Sequence, residues 1–272
     1  RKARFIAVKP PAAPPKTDQM TVNTGRVRDH WHTMTRTGKS PRLSQHISEP
    51  FCEINPEDAM RLSIRTADLV TIENARGSVI VRASVTGRQR AGHVFAPMHW
   101  NDQYAAEARI GKLVSDSVDP VSGQPALKMS LAAVRKFDAA WHGFAVTRDR
   151  PALGGAYWAC AKIPGGWRSE IASSIMPDNW ESQARETLGA AADEELISYQ
   201  DRQRGALRFA AVRDDGLLGV FYASREPVAV ARSWASTLLE GTPLPAAALL
   251  AGRPGDAVED KGAIVCSCFS IG

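Results

Sequence analysis

Thirteen consecutive residues constrain this chain more than any other stretch: Thr24-Gly25-Arg26-Val27-Arg28-Asp29-His30-Trp31-His32-Thr33-Met34-Thr35-Arg36. Three arginines, two histidines, three threonines and a glycine follow a short apolar alternation at Met20 and Val22. A run so polar does not fill a core, and it carries more hydrogen-bond donors than an ordinary loop needs. Guanidinium and imidazole donors, with backbone N–H groups freed around a glycine, suit a phosphate-rich or heteroaromatic ligand. The chain therefore has to fold so that this run lies at a surface and faces a partner.

Charge supports the same reading. Residues 1–50 hold ten Lys/Arg against three Asp/Glu, a surplus of +7. The whole chain carries +5, so the remaining 222 residues sum to −2. A local basic excess attracts polyanions. A nucleic-acid reader would show interleaved aromatics or a recognisable reading module, and neither is present, so a small anionic ligand is expected and nucleic acid is not. A length of 272 residues suffices for one large or two ordinary domains. No apolar run approaches the roughly 20 residues of a bilayer span, so no membrane partner is expected. Cys52 and Cys160 stand in apolar surroundings and read as free core thiols; a reduced, cytoplasmic compartment is the expectation.

Residues 1–18 read as a Pro-rich lead-in. From 19 to 137 the pattern is mostly β. Residues 19–23 alternate, and 69–74 and 78–85 form a hairpin about Ala75-Arg76-Gly77, with Gly77 expected at positive φ. Residues 92–97 make a further strand. Asn55 before Pro56, Glu57 and Asp58 marks a helix start. From 138 to 262 the texture changes to an α+β unit. A helix is expected from Asp178 toward Leu196, a hairpin from 207–212 and 217–223, an amphipathic helix over 227–240, and a short helix over 246–251 ending at Gly252. Five tryptophans fall in this second unit and read as core; His142 has no partner placed to form a catalytic dyad.

The run at 24–36 resembles the T-G-R-x-x-x-H-W-H-T-x-T-R signature of the molybdopterin-dinucleotide-binding domain of assimilatory nitrate reductases. Further blocks follow in the family's order: Thr37–Leu43 as T-G-K-S-P-R-L, Ile54–Ala59 as I-N-P-E-D-A, Pro97-Met98-His99-Trp100, and V-D-P-V-S-G-Q-P-A-L-K over 118–128. The resemblance spans about residues 19–137. It implies a mainly β protein, with a double-psi β-barrel over 19–137 closing one side of a bis-molybdopterin guanine dinucleotide (Mo) cofactor, followed by the smaller α+β domain. On that resemblance, pyrophosphate would be met by Arg26, Arg36, the backbone at Gly25 and the hydroxyls of Thr24, Thr33 and Thr35. Pterin edges would meet His30, Trp31 and His32, with His99, Trp100 and Asn101 as a second wall. Gly111 stands where many relatives carry Asn.

Residues 263–272, with Cys266-Ser267-Cys268, resemble the opening of a bacterioferritin-associated-ferredoxin-like [2Fe–2S] domain. Cys266 and Cys268 would then be two metal ligands, half of a four-thiolate site. A [4Fe–4S] cluster is expected in an earlier part of a longer polypeptide, in keeping with a chain that starts at Arg1. No catalytic residue is expected in the chain itself, and alone it should be inactive. The implied whole is a nitrate reductase converting nitrate to nitrite in nitrate assimilation, with ferredoxin, flavodoxin or an NADH-linked reductase as electron donor. A formate dehydrogenase or other oxidoreductase of the same superfamily, and a non-catalytic binding module, are the alternatives.

Overall fold

The computed structural model describes residues 5, 7, 17–201, 203–213, 216–241 and 244–253. Most of the Pro-rich lead-in, the residues from 254 to 272, and therefore Cys266 and Cys268, lie outside them.

Residues 20–136 build a closed six-stranded barrel. Its strands are β1 (Met20–Gly25), β2 (Phe51–Ile54), β3 (Leu69–Asn74), β4 (Gly77–Val85), β5 (His93–Pro97) and β6 (Ser130–Lys136), in the order β1-β5-β2-β4-β3-β6. Alternate residues point inward, as the two-residue strand period requires. Met20, Val22, Cys52, Ile54, Val70, Ile72, Val79, Val81, Val94, Ala96, Ala132 and Val134 share one buried cluster, with Ile110 and Leu113 beside them. The side chains fill the interior, so the barrel is a core and not a pore.

Pairing direction decides where the loops go. β1 runs parallel to β5, with Gly25 opposite Pro97, while β2 is parallel to β4 and antiparallel to β5. β3 is antiparallel to both β4 and β6. The C-terminal ends of β1, β3 and β5 therefore share one end of the barrel. The 26–36 run, the turn at 75–76 and the segment from 98 to 129 all emerge there.

Beyond 140 the chain forms an antiparallel sheet, in the order β10-β11-β12-β7-β9-β8. The strands are β7 (Trp141–Thr147), β8 (Tyr157–Ile163), β9 (Gly166–Ser173), β10 (Glu195–Asp201), β11 (Ala206–Arg213) and β12 (Gly216–Ser224). Both faces are covered, which explains the near-continuous apolar runs of β7 and β12. One face packs Trp141, Ala145, Phe209 and Phe221 against Ala184 and Leu188 of a helix. The other packs Phe144, Val146, Val220 and Tyr222 against Leu238, Leu239 and Leu249. Mainly β with a closed barrel and a second sheet is the expected class.

The five α-helices of the described residues are short: α1 (Pro41–His46), α2 (Pro56–Arg61), α3 (Trp180–Leu188), α4 (Arg232–Ala235) and α5 (Ala246–Ala251). α2 starts as expected, with the Asn55 side chain accepting from Glu57 N and Pro56 at the first position. α5 ends at left-handed Gly252, also as expected.

Three expectations need correction. Asn179, not Asp178, caps α3, accepting from the N–H groups of Glu181 and Ser182; Gly189 at φ 65° stops the helix far short of Leu196. Gly77 is not at positive φ: it is the first residue of β4, paired with Asn74, and the two-residue turn is closed by the Asn74 side chain accepting from Arg76 N at 2.9 Å. The helix expected over 227–240 shrinks to the four residues of α4. There the Arg232 guanidinium donates to the Val228 and Val230 carbonyls and to both carboxylate oxygens of buried Glu170, at 3.0 Å each, so this backbone caps a side chain instead of continuing a helix.

Gly219 of β12 shows how closely the sheet is packed. A Cβ there would lie 2.3 Å from the Val146 carbonyl oxygen, a backbone atom that cannot swing away. Gly219→Ala should therefore lower unfolding stability by about 1–3 kcal/mol, read as a fall in the urea midpoint at an unchanged slope.

Candidate functional site

The site lies at the barrel end where β1 and β5 finish together. Thr24 and Gly25 end β1, and Met98 N donates to the Gly25 carbonyl at 3.0 Å, so the two departing segments stay in contact. The 26–36 run then turns sharply. His32 and Met34 both sit at positive φ, 45° and 61°, which non-glycine residues adopt only when their surroundings hold them there. Those surroundings can be named one by one.

His99 is fully buried, with both ring nitrogens bound to the run. Nε2 accepts from Val27 N–H at 2.9 Å, and Nδ1 donates to the His32 carbonyl at 2.7 Å. An acceptor at Nε2 requires a neutral ring protonated at Nδ1. Burial above all, with the nearby Arg26 and His32 charges, lowers the His99 pKa and keeps the ring neutral. Asn101 donates from its side-chain amide to the Thr33 carbonyl at 2.8 Å, and the Tyr104 hydroxyl reaches the Met34 carbonyl at 3.4 Å. A single segment, 99–104, thus grips the run at Val27, His32, Thr33 and Met34.

His30 works from the other side. Its Nε2 donates to the Ile47 carbonyl at 3.1 Å and its Nδ1 accepts from the Thr37 hydroxyl at 3.3 Å, with the ring edge-on to Trp100. Burial lowers its pKa as well. Asp29 is buried too and binds His46 at 2.8 Å and Arg28 at 3.0 Å.

The sequence-derived candidates therefore divide in two. His30, His99 and Trp100 are buried, and the ring N–H donors expected to reach a ligand from His30 and His99 are spent inside the protein. Thr24 is buried with its hydroxyl unpartnered. Arg26, Trp31, His32, Thr33, Thr35 and Arg36 are exposed. Arg26 rests over the Trp31 ring, 5.6 Å from its centroid, with His32 edge-on to the same ring. Sequence reasoning missed the Ile47 carbonyl, which anchors His30, and did not single out Asp29 within the run.

Electrostatics at this end is one-sided. Asp29, Asp102, Glu107 and Asp116 each have a cationic partner, respectively Arg28, Arg109, Lys112 and Arg76. Asp119 is spent on Ser122 and Val121 in its own turn, which holds its carboxyl below the usual range. No carboxylate among the described residues pairs with Arg26 or Arg36. A polyanion fits such a surface, with exposed cations, hydroxyls and an aromatic face and without an unpaired acid among the named groups. At Gly111 a Cβ would meet nothing within 4 Å, so packing does not demand glycine there. Among the described residues no cluster of His, Cys, Asp and Glu could hold a metal ion. Cys52 and Cys160 are buried free thiols, raised by burial to about 12 and about 11.

The barrel and its loaded end define a class. Residues 20–131 match the Molydopterin dinucleotide binding domain family. Along its whole length the chain is 31% identical to a nitrate reductase of Klebsiella oxytoca, of which it spans 31%. Over half of the chain it is 37% identical to a periplasmic nitrate reductase of Desulfovibrio desulfuricans, and over 43% of it 37% identical to the F420-dependent formate dehydrogenase 1 subunit alpha of Methanococcus maripaludis; it spans 17% of each.

Two outcomes follow from the buried histidines. His99→Ala removes both of its anchors on the run, at the Val27 N–H and the His32 carbonyl, and should cost about 1–3 kcal/mol of stability, measurable by urea denaturation. The pKa values of His30, His99 and His142 (the last to about 4) lie below the unfolded value of about 6.5. The unfolded chain thus binds more protons between those values. Stability should be fully present above about pH 6.5 and fall on acidification toward pH 4, seen as a declining urea midpoint from pH 6.5 to 4.5.

Proposed function

We propose that the chain is the C-terminal part of a molybdenum-dependent nitrate reductase, reducing nitrate to nitrite in nitrate assimilation, and that its barrel end holds one side of the bis-molybdopterin guanine dinucleotide. The observation that carries the reading is the 26–36 run, set in place by buried histidines with Arg26 and Arg36 exposed and unpaired with acid, inside a matched dinucleotide-binding domain. Arg26 and Arg36 would bind pyrophosphate oxygens, assisted by the hydroxyls of Thr33 and Thr35 and the backbone at Gly25. Trp31 and His32 offer aromatic N–H groups and a stacking face toward ring edges. When bound, the cofactor supplies the redox chemistry; the residues of this chain bind and orient it, and none is assigned a catalytic role.

The finer parts of the proposal concern the longer protein. Cys266 and Cys268 would contribute two of four thiolates to a [2Fe–2S] cluster, and a [4Fe–4S] cluster would lie in an earlier domain. Ferredoxin, flavodoxin or an NADH-linked reductase would deliver electrons, in the cytoplasm. No helix of the described residues is long and apolar enough to cross a membrane. The similarity to a formate dehydrogenase subunit favours one second reading, the same barrel serving formate oxidation; nitrate- and formate-dependent turnover of the longer enzyme separates the two.

Arg36→Ala in the full-length enzyme should remove a charge-assisted contact of roughly 1.5–3 kcal/mol and lower molybdenum content per polypeptide, with Arg26→Ala acting in the same direction. Unchanged molybdenum in both single variants and in the double variant would overturn the assignment.

A further inference from the structure

The second sheet touches the ligand end in a way its distance along the sequence does not suggest. β8 is an edge strand, and an exposed edge is normally a liability. Here the edge is occupied by the segment that grips the 26–36 run. Ala105 bridges Ala159, with Cys160 N donating to the Tyr104 carbonyl at 2.8 Å and Ala106 N donating to the Trp158 carbonyl at 2.9 Å. Segment 99–106, which carries His99, Asn101 and Tyr104, is thus hydrogen-bonded to the second sheet through a single bridge at Ala105.

A second tie reaches the other flank. The Tyr157 hydroxyl, on a fully buried side chain at the start of β8, donates to the Glu49 carboxylate at 2.6 Å, and Arg82 binds the same carboxylate at 3.0 Å. Glu49 lies two residues beyond Ile47, whose carbonyl anchors His30. Buried Met34, in left-handed conformation at the heart of the run, belongs to one apolar cluster with Trp100, Tyr104, Tyr157, Ala159 and Ala172. Main-chain pairing, a buried hydrogen bond and an apolar contact converge from the sheet on the run and both of its supports.

We propose that the second sheet is the positioning element of the ligand end. On this proposal β8 and Tyr157, outside the family-matched domain, impose the shape of the 26–36 run, and residues 138–253 serve the binding of the dinucleotide without touching it. The inference rests on the reading of this end as the dinucleotide site only for its purpose, and its structural content is testable without the cofactor.

The test is hydrogen exchange on the 272-residue chain, comparing Tyr157→Phe and Met34→Ala with Leu249→Ala, which truncates the core of the same face at its far end, against Tyr222 of β12. Tyr157→Phe keeps the ring in its cluster and removes only the tie to Glu49. In both loop-side variants, amides of residues 27–40 should exchange about tenfold faster, while those of β3 and β4 change less than twofold; Leu249→Ala should leave residues 27–40 unmoved. Unchanged exchange at 27–40 in Tyr157→Phe and Met34→Ala, or an equal rise across the barrel, would overturn the proposal. In the full-length enzyme, Tyr157→Phe should also lower molybdenum content. Faster exchange at 27–40 with unchanged molybdenum would leave the sheet shaping the run and overturn its role in binding, whereas failure of the dinucleotide reading would show in the Arg26 and Arg36 variants alone.

Discussion

Parallel pairing of β1 with β5 is the constraint on which the rest depends. Two strands that end side by side must release their following loops at the same place, and Gly25 opposite Pro97 sets that place to within a residue. The polar run after β1 and the gripping segment after β5 are neighbours for this reason alone, although 67 residues separate His32 from His99. Had the strands paired antiparallel, the same residues would lie at opposite ends of the barrel.

Within that geometry the division of labour is unusual for so donor-rich a run. Between residues 26 and 36 the buried members, Asp29, His30 and Met34, face inward and are used up on the protein, while Arg26 and Arg36 are exposed with no carboxylate partner among the described residues. Buried polar groups this well satisfied over-determine a loop, which is how two non-glycine residues stay left-handed. The junction with the second sheet follows the same rule with stronger charges. Burial would raise the Glu170 pKa, yet Arg232, Arg168 and Arg82 together lower it, so the carboxylate stays ionised at the centre of a cationic ring that ties both units together.

Much of this was legible from the residues. The strand alternation at 69–74 and 78–85, the Asn55-Pro56 helix start and the paired runs at 207–212 and 217–223 each obey local chemistry, and each folds accordingly. The helix expected over 227–240 starts late because the Val228 and Val230 carbonyls are claimed by Arg232, whose partner Glu170 lies 62 residues away. The Gly77 turn failed because a side chain, Asn74, closed it in place of a positive φ. At the ligand end, the type of residue was readable and its direction was not. A histidine that donates outward and one that clamps a backbone carbonyl look alike in sequence; only the placement of the Ile47 and His32 carbonyls separates them.

The Glu49–Tyr157 contact joins residues 108 positions apart. A ribosome delivers the chain from its N-terminus, so every barrel strand is available before the tyrosine that ties down Glu49 has been made. The matched domain is therefore complete as a list of strands well before its binding end is complete as a shape, and the timing of synthesis, not only the final contacts, separates a barrel that exists from one that is finished.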